Sequence, residues 1–296
     1  MEIVFEDKMY IHSPRIIVSK ILEDDYMLKH ESTFFDIVNT QIFSNNIDIY
    51  TDEGKLLLRF RKNVIPDEAS KTLFNNLKSA APLTRGRAKA AGIPEDGKIY
   101  SYIKSKSSNA IIHQLNTRAR SGIIGYYDNK SFFGYKNIKD TDSLCRMTAF
   151  SKKHLAKYKE TEKVFSFLSD VYNTVVPEKY LVQKEYIEKL DQDYIIPNTI
   201  FTTVTVNKNF RTALHKDAGD LSVGFGNLVV CSEGHYTGGY TIFPQYGIAI
   251  DCRQGDFLAM DVHEWHCNSP IKGEGVRLSF VMYMREKMLK CCPKSK

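Results

Sequence analysis

The chain has 296 residues, of which 43% are hydrophobic and 26% charged, enough for one large domain with a buried core and too apolar for a disordered or fibrous class. Its formal net charge is +6. Nothing approaches the roughly 18 uninterrupted apolar residues of a membrane span, and the opening MEIVFEDKMYIH lacks the basic start and apolar run of a secretory signal, so a soluble, intracellular protein, cytoplasmic or nuclear, is expected.

Residues 1–65 carry short β-rich runs, IDIY and KLLLRFRK, separated by the hairpin signal Asp52-Glu53-Gly54, and read as a small β-rich N-terminal segment. Pro66, Asp67 and Glu68 then open a helix to about Ala80, with acids at the positive end of its dipole. From Ala81 to Ser121 periodicity is weak, which predicts exposed loop with short elements. This stretch also holds the charge: between Arg85 and Arg120 eight basic residues stand against Glu95 and Asp96, and eight minus two equals the net charge of the whole chain. Val164, Phe165, Leu168, Val171 and Tyr172 share one helical face, which predicts an amphipathic helix over 160–174, and a second helix follows Pro177.

From Ile200 the pattern changes to IFTTVTV, LVV, YTIF, GIAI, DFLAM and VRLSFVMYM, separated by glycine-rich turns. Many short strands after a helical stretch predict an α+β fold, a double-stranded β-helix (jelly-roll) core flanked by helices over residues 66–296. The six cysteines form no CxxC pair and read as reduced thiols, with Cys291 and Cys292 in a frayed basic tail and no disulfide-linked partner.

His215-Lys216-Asp217 follows the first of these strands. In extended chain, residues i and i+2 face the same way, so the imidazole and the carboxylate can meet one ion. A third histidine is available in the run VHEWHCNSPI, where His263 and His266 lie three apart, so only one of them can look inward from a strand. Two histidines and one carboxylate on one face of an ion leave positions open for co-substrate and oxygen, as non-haem iron oxygenases require. Arg277 sits inside the apolar strand VRLSFVMYM, where a buried guanidinium needs an anionic partner; a carboxylate can take a bidentate contact from it and a hydroxyl hydrogen bond from Ser279, two residues on.

The text TIFTTVTVNKNFRTALHKDAGD, then YTGGYTIFPQYGIAIDCRQGDFLAMDVHEWHCNSPI, then RLSFVMYMRE, resembles the TET/JBP family of iron(II)- and 2-oxoglutarate-dependent nucleic-acid dioxygenases. TRGRAKAAG and RSGIIGYYD look like the viral and base-J-type branch of that family, and the likeness runs from about 80 to 296. The resemblance selects His266 over His263 as the third ligand beside His215 and Asp217, and assigns Arg277 and Ser279 to 2-oxoglutarate. It implies hydroxylation of the 5-methyl group of a pyrimidine, 5-methylcytosine or thymine, in DNA, with Fe(II), 2-oxoglutarate and O2 as cofactors and ascorbate as activator. The target base must then leave the stack. Phosphates fall to the basic window, with Arg118 and Arg120 foremost, stacking to Tyr126 and Tyr127, and the flipped base to Asp220.

Two other functions share parts of this pattern. A prolyl or lysyl protein hydroxylase uses the same triad and anchor but does not require the basic window. A non-catalytic nucleic-acid-binding protein has no physical reason to keep His215, Asp217, His266 and Arg277 together.

Overall fold

The computed structural model describes residues 13–84, 87–92, 102–104, 111–113, 119–128 and 145–291. The N-terminal segment gives strands β1 (Arg15–Val18), β2 (Gln41–Phe43), β3 (Ile47–Thr51) and β4 (Leu56–Arg61), with helix α1 (Asp24–Lys29) between the first two. After helix α2 (Asp67–Leu77) come β5 (Leu83–Thr84), the hairpin β6 (Tyr102–Lys104) and β7 (Ile111–His113), β8 (Ala119–Asp128) and β9 (Cys145–Met147). Three helices follow, α3 (Ala149–Lys153), α4 (Leu155–Val175) and α5 (Pro177–Ile187). The C-terminal run adds β10 (Thr203–Lys208), β11 (Gly226–Glu233), β12 (Thr237–Gly238), β13 (Thr241–Phe243), β14 (Ile248–Ile250), β15 (Phe257–Met260), β16 (Cys267–Asn268), β17 (Ile271–Lys272) and β18 (Val276–Tyr283).

The main sheet runs β1-β3-β4-β15-β11-β18-β10-β8-β5, with β9 attached to β8, and a second sheet runs β16-β13-β14-β2. Alternation along the strands sorts the side chains into two cores. Val204, Val206, Val229, Cys231, Phe257, Ala259, Leu278 and Phe280 face helices α2 and α4, against Leu73, Leu77, Phe165 and Tyr172. Their neighbours in sequence Leu228, Val230, Leu258 and Met260 face the second sheet, against Phe243, Ile248 and Ile250. Two facing sheets with helices on the outer side of one are the double-stranded β-helix expected. Strand β4 pairs antiparallel with β15, so β1, β3 and β4 of the N-terminal segment are hydrogen-bonded into the same main sheet, while β2 pairs with β14 in the second.

Two expectations are corrected. The described part of 81–121 is not wholly exposed: Ala91, Gly92, Ala119 and Ser121 are buried, and Ala90, whose carbonyl accepts from Ala213 N–H at 2.9 Å, lines the cavity between the sheets. Nor does the chain fray before Cys291. That residue is buried and bonded to Cys145 in a disulfide that joins positions 146 apart in sequence, a pairing no local spacing reveals. Cys231, Cys252 and Cys267 are buried free thiols, and Cys292 lies outside the described residues.

Candidate active site

Beyond β10 the chain turns at Asn209, whose φ of 44° is left-handed and whose side chain bonds Arg277 N–H and Gly275 O at 2.6 and 2.9 Å. The segment then runs antiparallel beside 266–268. His215 and His266 exchange both backbone hydrogen bonds at 3.0 Å, which sets their side chains directly opposite with ring centroids 4.3 Å apart. Asp217, two residues on, is fixed by its N–H to Val262 O at 2.9 Å. The possible ligand atoms of His215, Asp217 and His266 all lie within 4.8 Å of one another, so the three can share one ion.

The imidazoles are already set for that task. Nδ1 of His215 donates to Ala213 O at 2.8 Å and Nδ1 of His266 to Glu264 O at 2.9 Å, which turns both Nε2 lone pairs toward the common point. Burial and the neighbouring His215 push His266 down to about 4, so it is neutral at physiological pH. Burial opposes ionisation of Asp217, but the hydrogen bond and charge of His215, with His266 and Arg87 behind them, hold its carboxyl below the usual carboxylate range. Burial also opposes a proton on His215, yet the same contact with Asp217 raises its pKa.

A cavity of about 180 Å³ opens in front of the triad. Ser279, Val281 and Tyr283, alternate residues of β18, form part of its wall; Arg277 continues that row along the strand but does not itself line the cavity. Arg277 is 3% exposed, and its Nε and Nη2 have no hydrogen-bond partner among the described residues. Space for its guanidinium is kept by Gly239, where a Cβ would stand 3.1 Å from Nε at a backbone φ of 74° that favours glycine. A buried cation with two idle donors fits the far carboxylate of 2-oxoglutarate.

Asp220 also faces the cavity, and its buried Oδ2 has no hydrogen-bond partner among the described residues. Burial and the nearby Asp217 carboxylate raise its pKa well above the ordinary carboxylate value. Three further polar groups at the cavity went unnoticed in the sequence. Arg87, counted there as part of a surface phosphate grip, is drawn inward: its Nε donates to Ser121 Oγ at 2.6 Å, and Ser121 in turn donates to Asn207 Oδ1 at 2.5 Å. Arg285 is paired with Asp128 and lies over Tyr127 at 4.4 Å. Tyr283, its pKa pushed up to about 12 by burial and by Asp220, completes that side. The alternation 277, 279, 281, 283, 285 could have found two of them.

Arg120 is exposed and does not line the cavity, and Arg118 lies outside the described residues. The stacking expected of the paired tyrosines meets competition, since Tyr126 packs edge-on against Tyr194 and Tyr127 lies under the Arg285 guanidinium. Trp265 packs with Met27 and Leu214 on the side away from the ligands. His263 does not join the triad because 261–264 is a turn rather than a strand; its ring bonds Asp261 at 3.2 Å.

Fold and site together define the class, a double-stranded β-helix protein of the 2-oxoglutarate oxygenase kind. A family model, Tet_JBP, described as the oxygenase domain of the 2OGFeDO superfamily, matches residues 122–286, more than half of the chain. The protein belongs to this family. It is 35% identical over 169 residues to the bifunctional helicase and thymine dioxygenase JBP2 of Trypanosoma brucei brucei, covering 56% of this chain and 15% of that one. Thymine dioxygenase JBP1 of Leishmania major is 31% identical over 170 residues, 56% of this chain and 20% of the other. The JBP1 of Trypanosoma brucei brucei is 29% identical over 266 residues, 87% of this chain and 28% of its own length. This chain thus spans well under a third of the curated relatives it matches. Among solved structures, NgTET1 in complex with 5mC DNA superposes with a TM-score of 0.54 at 16% identity over 92% of this chain and 94% of that one, a likeness of fold. Among the described residues no helix is long and apolar enough to cross a membrane.

Proposed function

We propose that the protein hydroxylates the 5-methyl group of a pyrimidine, thymine or 5-methylcytosine, in DNA, with His215, Asp217 and His266 as ligands of Fe(II) and with Arg277 and Ser279 holding 2-oxoglutarate. The observation that carries this reading is the convergence of the three ligand atoms within 4.8 Å, and it is supported by a buried guanidinium on the cavity-lining strand β18. The donor set, two imidazole nitrogens and one carboxylate, fits ferrous iron and leaves coordination positions free. Bound there with 2-oxoglutarate and O2, iron supplies the oxidising power that replaces a methyl hydrogen by hydroxyl.

The chain's own residues bind and aim. Arg277 takes the co-substrate's far carboxylate in a bidentate contact, and Ser279 adds a hydroxyl hydrogen bond. Arg87, tied back to Ser121 and Asn207, sets a second guanidinium at the cavity. Asp220, whose raised pKa favours a retained proton, and Arg285 offer hydrogen-bonding groups to the edge of a base turned out of the stack. The thymine dioxygenases among the relatives favour a pyrimidine methyl group over a peptide side chain as target. Arg118 and Arg120 serve as outlying phosphate contacts, and ascorbate as an activator that keeps iron ferrous.

The test is incubation of the protein with Fe(II), 2-oxoglutarate, ascorbate and DNA that contains both thymine and 5-methylcytosine, followed by mass spectrometry of the nucleosides. A hydroxymethyl base formed by the parent and absent with Asp217→Ala is expected. Succinate formation stimulated by peptide and not by DNA would assign the site to a protein hydroxylase instead.

A further inference from the structure

We propose that the Asp261–His263 pair is a positioning element of the metal centre, holding the turn 261–264 to which both Asp217 and His266 are tethered and thereby setting how tightly the three ligands close on an ion. The inference rests on the metal-centre reading above.

It starts from an asymmetry among the ligands. Each imidazole has its own tether through Nδ1, to Ala213 O and to Glu264 O. Asp217 is the most open of the three, with 36% of its side chain exposed, and its carboxylate contacts among the described residues are the other two ligands, at 3.5 and 3.9 Å. Where that carboxylate points is therefore decided by the backbone on either side of it. On one side Asp217 N–H donates to Val262 O at 2.9 Å. On the other, two residues on, the Gly219 carbonyl accepts a hydrogen bond from Glu286 N–H at 3.0 Å. The first of these tethers comes from the turn 261–264, and the same turn supplies Glu264 O to His266, so it positions two of the three ligands.

The turn is itself held by Asp261, whose side chain is 6% exposed. Its carboxylate accepts from His263 N–H at 3.0 Å, meets His263 Nδ1 at 3.2 Å and pairs with Lys55 at 2.7 Å. Lys55 also reaches Glu264 at 3.0 Å and follows the hairpin turn of the N-terminal segment, so the tether is anchored outside the metal strands. His263 lines no part of the cavity, which leaves it a positioning residue. Groups that orient ligands from behind are commonly worth about 10- to 100-fold in metal affinity.

The test is a titration of the metal-free full chain with Mn(II), followed by the electron paramagnetic resonance of the free ion, in the parent, His263→Ala and His263→Gln. The expected result is a loss of Mn(II) affinity of roughly 10-fold or more in His263→Ala, with most of it restored in His263→Gln, whose amide can still donate to the Asp261 carboxylate. An unchanged affinity in His263→Ala, even with a lowered melting temperature, overturns the proposal and leaves His263 an ordinary turn residue. If His263→Ala does not fold, Lys55→Met loosens Asp261 from the far side: a weaker Mn(II) site supports the proposal and an unaltered one overturns it. A parent chain that binds no Mn(II) overturns the metal-centre reading and this inference with it, a result distinct from a parent that binds and a His263→Ala variant that binds equally well.

Discussion

Replacing Arg277 by Met separates a co-substrate anchor from a structural cation by the sign of two measurements. Arg277 is almost fully buried, yet Nε and Nη2 have no partner among the described residues. In the metal-free, co-substrate-free chain the guanidinium is thus an under-compensated charge, and an apolar side chain of similar length relieves part of that burden. The melting temperature of the bare protein should hold or rise. Binding should move the other way. Two charge-assisted hydrogen bonds of about 1.5–3 kcal/mol each disappear, and allowing for non-additivity about 3–4 kcal/mol is lost, roughly a 100- to 1,000-fold rise in the 2-oxoglutarate concentration needed. Calorimetric titration of the Mn(II)-loaded chain with 2-oxoglutarate measures the second effect, and thermal unfolding without ligand the first. A bare variant destabilised by several kcal/mol, together with unaltered 2-oxoglutarate binding, would show that Arg277 serves an ion pair within the fold and refute the reasoning.

Gly239→Ala should weaken 2-oxoglutarate about tenfold without touching any ligand atom, because its Cβ would press on Arg277 Nε and Cδ, 3.1 and 3.2 Å away, at a strained φ of 74°; unchanged binding in the same calorimetric titration would mean that the guanidinium can shift freely. Metal affinity should fall with acidity in a way that counts one proton. His266 is neutral down to about pH 4 and Asp217 is held ionised, whereas the raised pKa of His215 makes it the ligand that must shed a proton before binding. A plot of log affinity against pH should be flat above that pKa and approach a slope of one below it, and a slope of two between pH 5 and 7 would contradict the assignment. Reduction of Cys145–Cys291 should lower the melting temperature, because a closure of this span restricts the unfolded chain by up to about 5 kcal/mol in the loop-entropy model; equal unfolding curves with and without dithiothreitol would show that the bond adds nothing.

The parts of the site visible in the sequence are those whose partners lie within one strand period. His215 and Asp217 share a face because they are two apart, and Arg277 stands out because an arginine inside VRLSFVMYM has no anion nearby. The same alternation, carried two and four residues past Val281, leads to Tyr283 and Arg285. Residues whose role depends on a distant partner were not visible. Arg87 looked like one more surface cation in a basic window, and only the fold brings Ser121, 34 positions away, beneath it. Arg285 depends on Asp128, 157 positions earlier, and Cys291 on Cys145, 146 earlier. The premise of a strand admits only one of His263 and His266, and the resemblance selects His266; His263 is absent from the triad for a different reason, since the chain turns at 261–264, which sends its imidazole to Asp261. Local periodicity therefore finds what one strand presents to the ion. What holds that strand in place is set by contacts across the sheets, where a one-dimensional pattern carries little signal.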